Sequence, residues 1–267
     1  MSKEVKERFL FHYSSVKVQA DSTLLAASLG RGVWRKPVGQ DTWQRLGDGW
    51  DSDMHTNRLH LYDNRAYACT NKGLLQLAED GSWRMTDLEV TCYQFLEFGR
   101  SALAGTAYGL WVRKHGMWEP ASHAQSAVYD VLYVPEFIIL ALDDGIAVYD
   151  RYTCEWSEHK LETAITSLAV YHGFLLGTTE KGELLVGNKR GGFTKVNYPN
   201  LFVFSLVTRQ GRVYACTDHG LFRIGRLYED ITLFSVKLGL PVTDADVDVH
   251  QLYMATLFQG VQTMPIG

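Results

Sequence analysis

The stretch CYQFLEFGRSALAGTAYGLWVRKHGMWEPAS, from Cys92 to Ser122, contains the repeat on which the whole chain is built. An apolar strand is followed by a tight turn, a strand of small residues, a turn ending in Gly109, a third strand and a final strand with Trp118. The turn-ending glycine recurs every 36 to 41 residues: Gly32, Gly73, Gly109, Gly145, Gly182, Gly220 and Gly260. Four strands per copy at this period predict a seven-bladed β-propeller.

Two further columns of residues follow the same period. The residue four places before each glycine is small, as expected where sheets crowd near a propeller axis: Ser28, Cys69, Gly105, Ala141, Thr178, Cys216 and Thr256. A two-residue turn precedes each glycine at a constant distance: Ser22-Thr23, Asp63-Asn64, Gly99-Arg100, Pro135-Glu136, His172-Gly173, Gln210-Gly211 and His250-Gln251. We therefore predict an all-β fold of four-stranded antiparallel blades in one domain spanning residues 1–267.

The seventh copy lacks a strand. Fourth strands are recognisable in the first six copies, often with a Trp, whereas the seventh ends after GVQTMPIG. The segment Arg8–Tyr13, RFLFHY, has the apolar character of the missing strand. We predict that this N-terminal strand closes the last blade, which would leave no open sheet edge and would make removal of residues 1–14 costly.

The segment LAGTAYGLWVRKHGMWEP, residues 103–120, resembles the propeller repeats of two-component regulators and related bacterial sensor proteins. Those repeats combine Gly-Thr and Gly-Leu pairs with a following Trp. The resemblance implies the architecture, and it implies no particular activity because proteins of unrelated function share the fold. The sialidase Asp-box and the WD-repeat signature are absent from the sequence.

Composition limits the classes of partner. Hydrophobic residues make up 46% of the 267 residues, and the formal net charge of −4 gives no general basic surface. We therefore expect neither nucleic acid nor a membrane as a partner. The N-terminus MSKEVKERFLFHY has no apolar core of a secretion signal, and no apolar run is long enough to span a bilayer. A cytoplasmic protein is the expectation.

The cysteines and the motif search predict no cofactor. Cys69, Cys92, Cys154 and Cys216 are scattered without a C-x-x-C pair, which favours free thiols over a disulfide framework or a zinc site. Nucleotide-binding and nucleophile-elbow motifs are missing as well. We predict no metal site either, since three aspartates in blade seven are too few oxygen ligands for a hard cation.

One column of the first strands is polar in all but one copy. It lies eleven residues before the small column: Lys17, Arg58, Gln94, Asp130, Ser167, Ser205 and Ala245. We predict that this column faces the central channel. The next column is apolar except for Asp246, which is therefore expected in a blade interface with a paired charge.

Neighbouring blades are expected to bring several of these charges together. Blade seven adjoins blade one, which places Asp244 and Asp246 beside Lys17, with Arg58 one blade further and Asp130 roughly opposite. Asp244, Asp246, Lys17 and Arg58 are the candidate catalytic residues, and Lys17, Arg58 and Asp130 are also candidates for ligand binding. The cluster could recognise a polar ligand, hold a cation or supply an acid–base pair. The alternative is a structural salt-bridge cluster that joins the closing blades.

The longest loop between copies, Gly47–Asn57, combines an aromatic residue with carboxylates in the sequence GDGWDSDMHTN. Trp50, Asp53 and His55 are therefore candidate ligand-binding residues at the channel mouth. The alternative is a solvated acidic loop in which Trp50 covers an exposed edge. His60 lies at a strand position that is mostly apolar in other copies, which favours an interior histidine over a metal ligand.

A rigid scaffold with unequal loops and no catalytic motif favours a binding module that recognises a protein or a small polar ligand at the channel mouth. The alternative is an enzyme, a lyase or hydrolase that uses the charged channel cluster with or without a divalent cation. A third interpretation is an assembly role for the outer strands. Their Trp residues, however, more often fill the space between blades: Trp43, Trp83, Trp118 and Trp156.

Overall fold

Antiparallel strands joined by turns dominate the structure. The computed structural model describes residues 13–188, 191–228 and 230–266, and this part of the chain contains strands and no α-helix. It therefore contains no helix that could cross a membrane. The strands form seven sheets that follow one another in sequence order, which confirms the predicted all-β, seven-bladed propeller.

The first four blades are four-stranded sheets. Blade one comprises β1 (Tyr13–Val18), β2 (Leu24–Ser28), β3 (Gly32–Lys36) and β4 (Gln44–Leu46). Blade two comprises β5 (Thr56–Tyr62), β6 (Arg65–Thr70), β7 (Leu74–Leu77) and β8 (Trp83–Met85). Blade three comprises β9 (Cys92–Phe98), β10 (Ser101–Thr106), β11 (Gly109–Lys114) and β12 (Met117–Ser122). Blade four comprises β13 (Val128–Tyr133), β14 (Phe137–Leu142), β15 (Gly145–Asp150) and β16 (Glu155–Lys160).

The remaining blades follow the same order. Blade five comprises β17 (Ile165–Tyr171), β18 (Phe174–Thr179), β19 (Leu184–Gly187) and β20 (Phe193–Val196). Blade six comprises β21 (Val203–Arg209), β22 (Arg212–Thr217), β23 (Gly220–Leu227) and β24 (Asp230–Leu238). Blade seven has three strands among the described residues: β25 (Val242–Val247), β26 (Gln251–Thr256) and β27 (Val261–Pro265). The predicted closing strand Arg8–Tyr13 lies, except for Tyr13 in β1, outside the described residues.

The first strands of the blades stand side by side around the centre. Each contacts the first strand of the next blade, and β25 contacts β1, so the ring closes between blades seven and one. Apolar side chains fill the interfaces, as where Leu25 of blade one shares a cluster with Leu59 and Trp83 of blade two. The predicted small column is buried throughout: Ser28, Cys69, Gly105, Ala141, Thr178, Cys216 and Thr256.

Gly109 and Gly220 show why the second turn of a blade ends in glycine. Their φ angles are +86° and +152°, which side chains disfavour. A Cβ atom at either position would collide with a carbonyl oxygen of the fourth strand, that of Ser122 or of Lys237. The glycine is therefore required by the close approach of the outermost strand.

The first turns of blades two to six lie where the sequence predicts them. In blade seven the turn is one residue earlier, with Val249 and His250 at its tip, because the N–H of Asp248 donates to the carbonyl of Gln251. In blade one the turn spans residues 19–23 and is longer than the predicted pair.

The second turns of blades one and seven are also longer than that of blade three. Ser28 pairs with Gly32, and the N–H of Thr256 donates to the carbonyl of Gly260, so the paired residues are four positions apart in both blades. In blade three the equivalent residues, Thr106 and Gly109, are three positions apart. Counting backwards from the glycine therefore gives the wrong register in these two blades.

The polar column must be corrected accordingly. Its members are Ser15 in blade one and Asp244 in blade seven, opposite alanines of the second strands. The assignment of Lys17 and Ala245 to this column is wrong. Asp246 does not interrupt the apolar column, because Ala245, which is fully buried, continues it. Lys17 and Asp246 each lie two residues beyond the polar column and therefore on the same strand face.

Candidate functional site

The first strands enclose a channel that contains a cavity of about 420 Å³. Most of the polar column lines it, including Arg58, Gln94, Asp130, Ser205 and Asp244. Lys17 lines it as well. The channel therefore brings together most of the charged residues that the sequence singled out.

Hydrogen bonds from the polar column join neighbouring blades. In each case a backbone N–H of the following blade donates to a side-chain oxygen: Leu59 to Ser15 at 3.2 Å, Leu168 to Asp130 at 2.8 Å, Leu206 to Ser167 at 3.1 Å and Val16 to Asp244 at 3.1 Å. The inner edge of each first strand has no further strand to pair with, so its buried N–H groups need side-chain acceptors. The column thus has a structural role in holding the ring together.

Lys17 and Asp244 form a buried ion pair at the junction that closes the ring. Lys17 Nζ lies 2.6 Å from Asp244 Oδ2. The ammonium also donates to the carbonyl of Val16 at 2.8 Å and to Ser15 Oγ at 3.4 Å. Burial lowers the pKa of Lys17, although Asp244 opposes this. Burial acts to raise the pKa of Asp244, but the charges of Lys17 and Arg209 lower it overall. The donors of Lys17 are therefore occupied by Asp244, Val16 and Ser15.

Arg58 and Asp130 form a second pair across the channel wall. Arg58 Nη1 lies 3.1 Å from Asp130 Oδ1, and the amide of Gln94 donates to the same oxygen. Burial opposes the charge of Arg58, but Asp130 and Asp244 raise its pKa overall. Asp130 is 3% exposed and Arg58 keeps 26% of its side chain exposed, so the arginine is the member of this pair that a ligand could reach.

Asp246 pairs with Arg209, a residue that the sequence analysis missed. Arg209 Nε lies 2.5 Å from Asp246 Oδ1, and the N–H of Val18 donates to Asp246 Oδ2 at 2.9 Å. Arg209 ends the first strand of blade six, next to blade seven, so a search for a cation in the adjoining blade would have found it. The charged residues of the channel therefore form three separate ion pairs, Lys17–Asp244, Arg58–Asp130 and Arg209–Asp246.

His60 lies in the channel wall beside these cations. Its Nε2 atom is buried and has no hydrogen-bond partner among the described residues, and its ring packs edge-on against Phe95 at 6.1 Å. Burial, then the charges of Arg58 and Lys17, hold its pKa well below the usual range. His60 is therefore a neutral interior histidine, as the sequence favours.

The channel mouth lies on the face formed by the inter-blade loops and the second turns. One residue near the start of each first strand bulges out of the pairing register, and all of these residues are part-exposed or exposed: Ser14, Asn57, Tyr93, Tyr129, Thr166, Phe204 and Thr243. Ser14, Asn57, Phe204 and Thr243 line the channel cavity. We call these seven residues the mouth ring; bulges commonly re-aim side chains in this way at functional edges.

Aromatic residues occupy one arc of the mouth ring. The rings of Tyr93 and Tyr129 lie 5.0 Å apart between blades three and four, and Phe204 lies 5.3 Å from Phe202. Burial raises the pKa of both tyrosines, so their hydroxyls stay protonated at neutral pH. Tyr93 and Tyr129 share a place in the sequence two residues before the apolar column, and this is the signal by which they could have been predicted.

The Gly47–Asn57 loop lies against the outer part of the same face. Trp50 packs edge-on against Trp83 at 5.7 Å and joins the core between blades one and two. Asp53 lies 2.7 Å from Lys72 Nζ, and His55 is exposed. This arrangement resembles the alternative in which Trp50 covers an edge, whereas Asp53 and His55 remain accessible to a ligand.

Over residues 13–188, 191–228 and 230–266, no group of three or more His, Cys, Asp or Glu side chains is placed to hold a metal ion.

Comparison with known proteins identifies the fold. No protein-family model matches the chain, and no curated protein matches its sequence. The extracellular domain of the putative one-component system BT4673 from B. thetaiotaomicron matches with a TM-score of 0.76 at 14% identity, over 95% of this chain and 38% of that one. This chain therefore spans about two fifths of that domain.

Two further solved structures match over nearly their full length. Virginiamycin B lyase from Staphylococcus aureus matches with a TM-score of 0.76 at 9% identity, over 97% of this chain and 96% of that one. YCF48 bound to D1 peptide matches with a TM-score of 0.72 at 12% identity, over 97% and 94% of the two chains. At these identities the likeness shows the fold alone: the chain is a seven-bladed β-propeller, built like the extracellular domains of bacterial sensor systems.

Proposed function

We propose that this chain is a binding module that receives a segment of a partner protein or a small polar ligand at the mouth ring. The observation that carries the proposal is the ring itself, with accessible aromatic and polar side chains over a cavity of about 420 Å³. Aromatic side chains supply large contact areas, and Ser, Thr and Asn supply adaptable hydrogen bonds. A rigid ring of sheets holds both in place before a ligand arrives.

The charged channel cluster supports the enzyme alternative less well. Asp130, Asp244 and Asp246 each accept a backbone N–H from another strand and pair with a cation. A general base must be free to take a proton from substrate, and these carboxylates already have structural partners. The structural neighbour YCF48 was solved bound to D1 peptide, so a propeller of this fold can hold a peptide.

A ligand screen against a mouth variant tests the proposal. Random peptides displayed on phage are selected on the protein, and a panel of small polar metabolites is screened by thermal shift. The variant Tyr129→Ala/Phe204→Ala alters the mouth ring. The matched control Tyr152→Ala/Tyr228→Ala removes two aromatic side chains, 81% and 93% exposed, from third turns on the opposite face.

We expect ligands that bind the wild type and the control equally and that lose at least about ten-fold in affinity on the mouth variant, as for the loss of aromatic anchors. Circular dichroism shows whether both variants are folded. Ligands that bind the mouth variant as tightly as the wild type, or a screen that finds no ligand, would count against a binding role for the mouth.

A further inference from the structure

Exposed apolar side chains surround the mouth ring. The second turns and the loop before blade six present side chains with large exposed fractions: Tyr108 at 61%, Phe258 at 52%, Leu29 at 50% and Phe202 at 37%. Together with Tyr93, Tyr129 and Phe204, they place aromatic and aliphatic side chains at and around the channel opening. Exposed apolar side chains around a channel opening are a common feature of an interaction site.

The same face is strongly acidic. Its second turns and inter-blade loops, all within the described residues, carry many carboxylates: Asp48, Asp51, Asp53, Asp87, Glu89, Asp143, Asp144, Glu162, Glu180, Glu183 and Asp218. The Lys and Arg residues in these segments are Arg31, Lys72 and Lys181. Lys72 is already held by Asp53 at 2.7 Å and Asp51 at 3.6 Å. An excess of one sign on a face attracts ligands of the other sign.

Two of these carboxylates lie in second turns beside the aromatic arc, and Asp143 directly follows Leu142, which pairs with Val128 next to Tyr129. Asp143 in the β14–β15 turn and Glu180 in the β18–β19 turn are both exposed. Burial raises the pKa of Tyr129, and the charges of Asp143 and Glu180 raise it further, so both carboxylates act on this phenol. A cation held over the Tyr93–Tyr129 pair would therefore meet ring faces and carboxylates at once.

Resting on the proposed function, we infer that the mouth docks a cationic segment of a partner protein and places an Arg or Lys side chain against Tyr93 and Tyr129. A guanidinium or ammonium over an aromatic face is attracted by the ring quadrupole, and nearby carboxylates strengthen the attraction. The acidic turns then serve as the outer rim that steers the segment to the mouth.

The spread of the aromatic surface favours a peptide over a small free cation. Tyr108, Phe202 and Phe258 lie in turns of different blades, around the opening rather than in it. A polyamine would leave these side chains uncovered, whereas an extended peptide crossing the face can cover them while one basic side chain enters the mouth.

Fluorescence anisotropy with three peptides and one competitor tests this inference. These are fluorescein-labelled tetra-arginine, its uncharged isostere tetra-citrulline, tetra-glutamate, and unlabelled spermidine as a competitor. We expect tetra-arginine to bind at least about ten-fold more tightly than tetra-citrulline. Its affinity should fall as salt is added, and spermidine at equal concentration should not displace it.

Matched variants separate the mouth from general acidity. Asp143→Asn/Glu180→Gln removes two charges at the mouth, and Asp41→Asn/Asp80→Asn removes two from turns of the opposite face. We expect the first pair of substitutions to lower the affinity for tetra-arginine about five-fold and the second pair to leave it unchanged, although both change the net charge equally. Tyr129→Leu should weaken it about five-fold, and Tyr152→Leu should not.

The outcomes distinguish this inference from the proposed function. Equal binding of tetra-arginine and tetra-citrulline, both weakened by Tyr129→Leu, would overturn charge recognition and leave peptide binding at the mouth intact. Displacement by spermidine at equal concentration would overturn the peptide as the ligand. Equal losses in the mouth and opposite-face variants, or no binding of tetra-arginine, would overturn the inference, and only the ligand screen then decides the proposed function.

Discussion

His60 is a polar residue at a position where blades three to six have apolar ones. Leu96 and Leu132 hold the same place in blades three and four, two residues beyond the polar column. The buried Nε2 of His60 has no partner among the described residues, and Arg58 and Lys17 disfavour its protonation. Such a group costs stability in the neutral form and more in the charged form.

We expect His60→Leu to raise the free energy of unfolding by about 1 kcal/mol at neutral pH, because the unpaired atom is removed. The pKa of His60 is lower in the folded chain than in the unfolded one. The wild type therefore loses stability as the pH falls below about 6.5, and the variant escapes this loss. Denaturant titrations should show that the difference in free energy of unfolding between His60→Leu and the wild type is larger at mildly acidic pH than at neutral pH. The exposed His250→Leu serves as the control, and a gap that stays constant would contradict the assignment.

The four cysteines differ sharply in accessibility. The sulfur atoms of Cys69 and Cys92 lie 3.3 Å apart and are buried, as is Cys216, whereas Cys154 is exposed. Burial raises the pKa of Cys69 well above the usual range and that of Cys216 to about 12. A reagent must reach the sulfur atom to react with it, so the three buried thiols should be inert while the protein is folded.

An aromatic disulfide reagent should therefore label the native protein rapidly at Cys154 alone. The variant Cys154→Ser should show almost no fast reaction, and unfolding should release the remaining thiols in both proteins. Absorbance of the released thiolate follows the reaction, and mass spectrometry locates the label. Fast labelling of Cys69 or Cys92 in the folded protein would show that the interface between blades two and three opens.

At the scale of the strand, β25 is held on both sides through Asp246. Its carboxylate accepts the N–H of Val18 in blade one and pairs with Arg209 in blade six. Asp246→Leu leaves both donors without a partner, and we expect it to lower the free energy of unfolding by roughly 2 kcal/mol, since Arg209 keeps some contact with water. Thermal and denaturant unfolding measure the change. Asp41→Leu, at an exposed residue, should shift stability by less than about 0.5 kcal/mol. An Asp246→Leu protein that is more stable than the wild type would show that the carboxylate is retained for another reason.

The turns explain how far the sequence could predict the elements. Glycine and tight-turn pairs impose local backbone requirements, so blades two to six were placed correctly from Gly73 to Gly220. An extra residue in a turn leaves the glycine recognisable in the sequence. Positions assigned by counting back from that glycine are then wrong by one residue, which places each side chain on the other face of the strand. Asp246 was assigned to the wrong column for this reason.

The site was harder to predict than the fold. The Lys17–Asp244 contact followed from the order of the blades, and it is present. The mouth ring depends on a bulge near the start of each first strand, where one residue leaves the alternation that makes strands recognisable. Tyr93 and Tyr129 therefore look like ordinary strand residues until the bulge is seen.

For the whole molecule, the decisive junction is the one between blades seven and one. Most junctions join neighbours in the chain, but this one joins β25 to β1 across almost the full length of the sequence. Asp244 links it through Ser15, Val16 and Lys17. The preceding junction has a neutral link at the same position, where Ser205 Oγ donates to the carbonyl of Thr243 at 2.9 Å.

Asp244→Asn should therefore lower the free energy of unfolding by about 3 kcal/mol, because it removes the carboxylate that is paired with the buried Lys17, whereas Ser205→Ala should cost about 1 kcal/mol. Since the pKa of Asp244 is lower in the folded chain, its contribution to stability is present above about pH 4 and is lost as the pH falls further. The free energies of unfolding of the wild type and of Asp244→Asn should therefore converge in acid.

Hydrogen exchange should show β1 and β26 losing protection before the strands of blades three and four, since opening begins at the closing junction. A loss of protection spread evenly over all blades would mean that the ring unfolds as one cooperative unit and that the closing pair has no special place in it.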